Sequence, residues 1–338
     1  MKIPLLGTLL ITSSMMASSL VNEAKNAGLM PIPDSKIKLY KLIDNVKNPI
    51  TDAKVNLGKQ LFFDPRLSKS GLISCNFCHN LNAGGTDNLE AAVGHIWTTN
   101  PHHLNSPTVF NAVFASSQFW DGRDPDLEKQ AQGPIQAAPE MAATKKHVED
   151  VVNSIPEYVK SFKNAYGQDV KINFTKVTDT IATFERTLVT PARFDKFLTT
   201  NENSLNAQEK KGLKTFIDKG CTTCHNGIAL GGSMQTFGLI AKYKYESLGD
   251  FRGDKNGMVK VPTLRNITQT APYFHNGAIK TLEEAIVEMG RIQLGVKITK
   301  NEAKDIKAFF GALEGKKPYL GKINLPNSTD KTPKPNLK

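Results

Sequence analysis

Cys75-Asn76-Phe77-Cys78-His79 and Cys221-Thr222-Thr223-Cys224-His225 use all four cysteines of the 338-residue chain, and the reading of this repeated Cys-x-x-Cys-His pattern decides the fold. Each cysteine of such a pair adds its sulfur across a haem vinyl group. The two-residue spacer lets one short helical turn present both sulfurs to one porphyrin edge, and the next residue falls on the proximal face as an axial iron ligand. A zinc site borrowing the four cysteines or a pair of disulfides would use the same pairs. Neither explains a histidine directly after both. The sequence is therefore expected to be mainly α, with two cytochrome c-like domains that each carry one covalently bound haem c. Redox chemistry follows from that.

Length agrees, since 338 residues exceed one cytochrome c unit and suggest about two domains. Residues 1–20 read as a signal peptide, with Lys2, an apolar stretch from Ile3 to Ile11 and small residues from Ser13 to Ser19. That stretch is far below the roughly 20 residues needed to span a bilayer, so no membrane span is expected after signal removal. The expected address is the periplasm. The net charge of +11 is spread over scattered lysines without an aromatic-interleaved basic stripe, which argues against nucleic acid. It reads either as a docking field for an electron-transfer partner or as a plain solvated surface. Residues 323–338, with Lys331, Lys334 and Lys338 among Pro333, Pro335 and Asn336, are expected to be a disordered basic tail.

A weak internal repeat precedes each motif: Gly58-Lys59-Gln60-Leu61-Phe62-Phe63-Asp64 and Gly212-Leu213-Lys214-Thr215-Phe216-Ile217-Asp218. Each half is expected to start with the same helix. Helical periodicity continues over Lys146 to Phe162 and Val177 to Leu198, and a polar linker at Thr199 to Ser204 divides a first domain, 21–200, from a second, 201–322. Ile228 to Pro262 reads as loop with short strands. Helices return at Thr281 to Arg291, with Thr281 and Glu284 as a capping box, and at Glu302 to Leu313.

Each iron has one further coordination position, and its ligand decides what that haem can do. Beyond the two motif histidines stand His95, His102, His103, His147 and His275. His147 reads as a surface residue. His95, after Gly94 in a glycine-containing loop, is near enough in sequence to His79 to fold back over the same iron, although a lone loop histidine is as often simply exposed. By periodicity Met289 is an ordinary core methionine. Met234, Met258 and His275 compete with it as ligands.

Together with the haem motifs, Pro107-Thr108-Val109-Phe110-Asn111, Phe119-Trp120-Asp121-Gly122-Arg123, Pro262-Thr263-Leu264-Arg265-Asn266 and Tyr273-Phe274-His275-Asn276-Gly277 resemble the bacterial dihaem cytochrome c peroxidase family. The likeness runs from about Leu57 to Leu313. It implies a first, peroxidatic haem with His79 proximal and His95 distal in the resting form, and a second, electron-entry haem with His225 and Met289. Methionine ligation raises a haem potential and a second histidine lowers it. The resemblance further assigns Trp120 as the electron bridge, and Gln130, Pro134 and Glu140 as distal-pocket residues with Glu140 the acid/base. It also implies a calcium ion held by the Asn105 side chain and the Thr270 and Pro272 carbonyls. Without the resemblance, Glu140 reads as an exposed loop carboxylate.

The implied activity is reduction of hydrogen peroxide to water with electrons from a small periplasmic cytochrome c or cupredoxin, after movement of the Gly84 to Asn105 loop releases His95. Family members are commonly homodimers. Two rivals remain: a methylamine-utilisation-type dihaem oxidising enzyme, which uses tyrosine where Met289 stands, and a non-catalytic dihaem electron-transfer cytochrome.

Overall fold

The computed structural model describes residues 20–338; positions 1–19 of the expected signal peptide lie outside the described residues. The architecture is helix-rich. The helices that position the site are α1 (Asp52–Phe63), α2 (Cys75–Cys78), α3 (Leu127–Gln130), α4 (Lys145–Asn153), α5 (Pro156–Tyr166), α6 (Phe174–Glu185), α7 (Arg193–Thr199), α8 (Ala207–Asp218), α9 (Leu282–Met289) and α10 (Lys300–Gly311). One antiparallel pair, β1 (Met234–Thr236) and β2 (Met258–Lys260), matches the short strands expected in the 228–262 loop.

The internal repeat has a structural cause. Helices α1 and α8 begin at side-chain caps, Thr51 and Asn206, and each crosses a later helix, α6 or α10 respectively. At the two crossings stand the leading glycines of the repeat. A Cβ on Gly58 would overlap the Thr180 carbonyl oxygen, and one on Gly212 the Asp305 carbonyl oxygen. Only a bare Cα lets the backbones approach so closely.

Two expected helices are broken. The run from Lys146 to Phe162 divides into α4 and α5 because Pro156 can start a helix but not continue one. The run from Val177 to Leu198 divides into α6 and α7 ahead of and beyond Pro191, for the same reason. Thr281 caps α9 by accepting from the Glu284 amide at 3.3 Å. The fully reciprocal box forms instead on α10, where Thr299 and Glu302 each accept from the other's backbone.

Two main cores form, one around Leu57, Phe62, Val148, Phe162 and Ile181 and one around Leu213, Phe216, Ile306 and Phe309. The expected division at residue 200 needs correction. Phe194, Phe197 and Leu198 of α7 belong to the second core, and so do Val21, Ala24 and Leu29 near the start of the described chain. The crossover lies near Thr190. An amphipathic pattern shows that a helix has a buried face but not which of two cores receives it.

The expectation of a disordered tail is also corrected. Residues 320–336 run over the first half, where Lys59 donates to Leu320 O at 2.7 Å, Gln60 to Asn324 O at 2.8 Å, and the Asn336 amide to Lys69 O at 2.9 Å. Thr329 and Thr332 hydroxyls meet the Ser154 carbonyl and hydroxyl at 2.9 Å. Proline-rich composition denies the segment its own helix or sheet, but an extended strand can take its partners from a neighbour. The two ends of the chain are thus exchanged, each packing on the other end's half.

Candidate active site

The first haem motif forms α2 and the second a 3-10 turn, Cys221–Thr223. The four cysteines are free, and Cys75 packs on the first core while Cys221 packs on the second. That separation removes a single four-cysteine zinc site. Burial pushes the Cys78 thiol up to about 12 and the Cys221 thiol up to about 11.

Each motif histidine is held the same way. His79 Nδ1 lies 3.0 Å from Pro107 O and His225 Nδ1 lies 3.1 Å from Leu230 O. A carbonyl only accepts, so Nδ1 carries the proton and Nε2 keeps its lone pair. Burial holds both imidazoles down to about 4, so each is neutral, the state that ligates a metal. Free paired thiols followed by an oriented, neutral imidazole fit a covalently attached haem in each half.

The segments around these histidines repeat closely. Thr108 Oγ1 donates to Gly84 O at 2.7 Å and Thr263 Oγ1 to Ala229 O at 2.6 Å. Asn111 and Asn266 both take left-handed backbone, at φ 63° and 60°, and both donate through Nδ2 to the Thr190 hydroxyl at 2.8 Å. One buried threonine therefore joins the halves.

A cavity of about 690 Å³ opens between them, with His79, Trp120, Gln130, Pro134 and Glu140 on its wall. The sequence-predicted distal residues are thus brought together with the first motif. Burial raises the Glu140 carboxyl above its ordinary value against the opposing pull of Arg123. A carboxyl so placed can both take and return a proton. Trp120 Nε1 donates to Asn105 O at 3.0 Å, and its ring stands edge-on to His275 at 6.5 Å. Asn105, Thr270 and Pro272 also border the cavity.

His95 is placed differently. It is 6 % exposed, its Nδ1 has no hydrogen-bond partner, and it is not among the residues bordering the cavity. Its amide donates to Glu140 O at 2.6 Å. Gly94 permits this approach, because a Cβ there would overlap the backbone of Pro139 and Glu140. The next two residues, Ile96 and Trp97, have φ of 46° and 63°, which is costly for side chains with Cβ branching or bulk. Trp97 is 62 % exposed and packs on Phe77, whereas Trp120 sits at the junction of the halves.

Met289 ends α9 where a π turn, Gly290–Leu294, begins, and such turns recur at functional positions. Its competitors are engaged elsewhere. His275 is enclosed by Trp120, Phe237, Tyr243 and Phe251, Met234 lies against Gly122, and Met258 is paired in β2. His147 is half-buried with Nε2 2.9 Å from Arg66 O, not a free surface group. Sequence reasoning missed Thr190, which no motif marks, and Glu185, a cavity carboxyl whose only signal is its position at the end of an apolar helix.

This combination of two Cys-x-x-Cys-His halves around a shared cavity defines a two-haem oxidoreductase scaffold. The family model for di-haem cytochrome c peroxidases matches residues 52–203. The chain is 42 % identical to cytochrome c551 peroxidase of Pseudomonas aeruginosa, over 98 % of this chain and 97 % of that protein. It is 44 % identical to cytochrome c551 peroxidase of Nitrosomonas europaea, over 96 % and 97 %. A crystal structure of a MauG-like protein associated with microbial copper homeostasis superposes with a TM-score of 0.70 at 26 % identity, over 80 % of this chain and 92 % of that one. The chain belongs to the di-haem cytochrome c peroxidase family. No helix among the described residues is long and apolar enough to cross a membrane.

Proposed function

We propose that this protein is a dihaem cytochrome c peroxidase that reduces hydrogen peroxide to two waters, taking two protons and two electrons per peroxide, the electrons from a small cytochrome c or cupredoxin in the periplasm. The observation that carries the reading is the cavity whose lining includes His79, Gln130 and Glu140. The close identity with two cytochrome c551 peroxidases over nearly the whole chain supports it.

Two haem c groups, one per cytochrome c-like half, would be tethered at Cys75 and Cys78 and at Cys221 and Cys224, and would supply iron for peroxide binding and for electron storage. His79 and His225 would be their fixed ligands. Glu140 takes the proton from the inner peroxide oxygen and returns it to the outer one, so that oxygen leaves as water and not as the less stable hydroxide. General acid/base help of this kind is worth about 10²- to 10⁴-fold. Gln130 adds a hydrogen-bonding amide on the same wall, and Pro134 keeps its neighbourhood apolar.

Trp120 places an oxidisable ring at the junction of the halves. Met289 is the proposed second ligand to the electron-entry iron, and its thioether would hold that iron in the reduced form. His95 is the proposed resting ligand of the first iron. Its amide donates to Glu140 O, which ties the proposed resting ligand to the proposed acid/base residue. We assign one calcium ion to Asn105, Thr270 and Pro272, whose oxygens suit a hard cation, and a homodimer as the assembly.

Visible and EPR spectra of the holoprotein, oxidised and half-reduced, test the reading. The expected result is a His/Met signature at one haem and a bis-His signature at the other, which turns high-spin on half-reduction and then reacts with peroxide. A first haem that stays low-spin and inert to peroxide would make the chain an electron carrier.

A further inference from the structure

Glu140 only relocates a proton that peroxide already carries. The overall reduction consumes two more, and these must reach the cavity between the halves. Besides Glu140 the cavity is lined by the carboxyls of Asp121, Glu185 and Asp250, and of these three only Glu185 is buried. Glu185, the last residue of α6, is 6 % exposed and borders the cavity, and its Oε2 has no hydrogen-bond partner.

Its surroundings offer no counter-charge. Glu128, on the α3 helix packed against α6, repels it, and Cys75 of the first motif is the other titratable group that it influences. The adjacent Arg186 turns away, donating to Asn48 O at 2.6 Å and lying 3.6 Å from Glu128. Burial with a like charge nearby pushes the Glu185 carboxyl up to about 8, so it carries a proton at neutral pH. Glu140 acts on Cys78 and Glu185 on Cys75, which sets the two carboxyls at different cysteines of one motif.

Resting on the peroxidase reading above, we propose that Glu185 is a proton-holding residue of the peroxide site, a neutral carboxylic acid that releases its O–H proton to an oxygen leaving as water. The O–H bond of Glu185 breaks and an O–H bond of water forms; the carboxylate left behind regains a proton from solvent, and a second release of the same kind completes the two protons that the reduction consumes. The two electrons come from the donor protein as in the proposed reaction. Glu140 and Glu185 thus divide the work, one moving the substrate's own proton and the other supplying the new ones.

Steady-state peroxide turnover by the holoprotein with a reduced small cytochrome c as electron donor, followed across pH, tests this in wild type, Glu185→Gln and Glu185→Asp. A donor must be protonated, so the wild-type rate is expected to fall as pH rises through about 8. In Glu185→Gln the haem spectra should be unchanged, the rate at neutral pH should drop by about 10²-fold, and the alkaline fall should vanish. Glu185→Asp should restore the alkaline fall. Wild-type rate and pH profile in Glu185→Gln would overturn the assignment while leaving the peroxidase intact. Failure of the wild type to consume peroxide at all would overturn both. Should Glu185→Gln fail to load haem, infrared difference spectra of the wild type decide: a carboxylic C=O band that bleaches during turnover with peroxide and the reduced donor is expected, and its absence overturns the proposal.

Discussion

The two halves share a frame and differ in what they hang on it. Both have a glycine at the helix crossing, a histidine with Nδ1 on a carbonyl, a Thr-to-carbonyl bond and a left-handed asparagine on Thr190. Where the first half buries Phe110, the second buries Arg265, whose guanidinium donates to both Asp195 oxygens at 2.7 and 3.1 Å. Where the first places Trp120, the second places His275 in a ring of aromatic side chains. The first motif shares its cavity with the amide of Gln130 and the carboxyls of Glu140 and Glu185, whereas His225 packs near Phe216, itself in tilted contact with Phe309 and edge-on contact with Phe310. The motif and its histidine-to-carbonyl hydrogen bond are the same in both, so the halves differ through the segments added around the motif.

Replacing Glu140 by Gln should break this contrast most severely. Peroxide turnover should fall by about 10²- to 10⁴-fold while both haem spectra persist. Because Glu140 must be ionised to accept the first proton and burial raises its carboxyl, the wild-type rate should rise with pH through that raised value. The rising limb should be missing in the variant, and a steady-state pH profile checks both points; full activity would sink the assignment.

Next in size is Asp195→Ala, which leaves Arg265 buried and unpaired and also removes the acceptor of the Ile32 and Ala192 amides. Denaturant unfolding should show a loss of about 3–5 kcal/mol, and spectra should place the damage at the second haem. Damage confined to the first haem would contradict the division of the cores.

Thr190→Val sharpens the comparison from its midline. It strands the Asn111 and Asn266 amides together, each worth about 1–3 kcal/mol when left unsatisfied in the interior. Both haem spectra should soften in parallel on thermal unfolding, and an effect on one half alone would refute the shared hinge. Smallest are Gly58→Ala and Gly212→Ala, each expected to cost about 1–3 kcal/mol by overpacking a helix crossing. Thermal melts should rank the two alike, and a large disparity would show that the crossings are not equivalent.

The haem motifs, the helix-rich class and the repeated helix were legible because each depends on short-range spacing: two cysteines on one turn, a glycine within an apolar stripe. Glu140 could be marked only by resemblance to a family, since its burial comes from segments far off in sequence. The broken helices were readable in principle at Pro156 and Pro191, where periodicity was allowed to outweigh a missing backbone donor.

By itself the sequence marked the paired cysteines, the histidines that follow them and the Thr281 cap, all of which act over a few residues. Only the tertiary structure decided that the chain's two ends exchange halves, that Thr190 holds both asparagines, that His95 stands outside the cavity and that Glu185 faces into it. Those outcomes depend on which buried surfaces meet and which charges lose their water, and neither quantity exists until distant segments have packed.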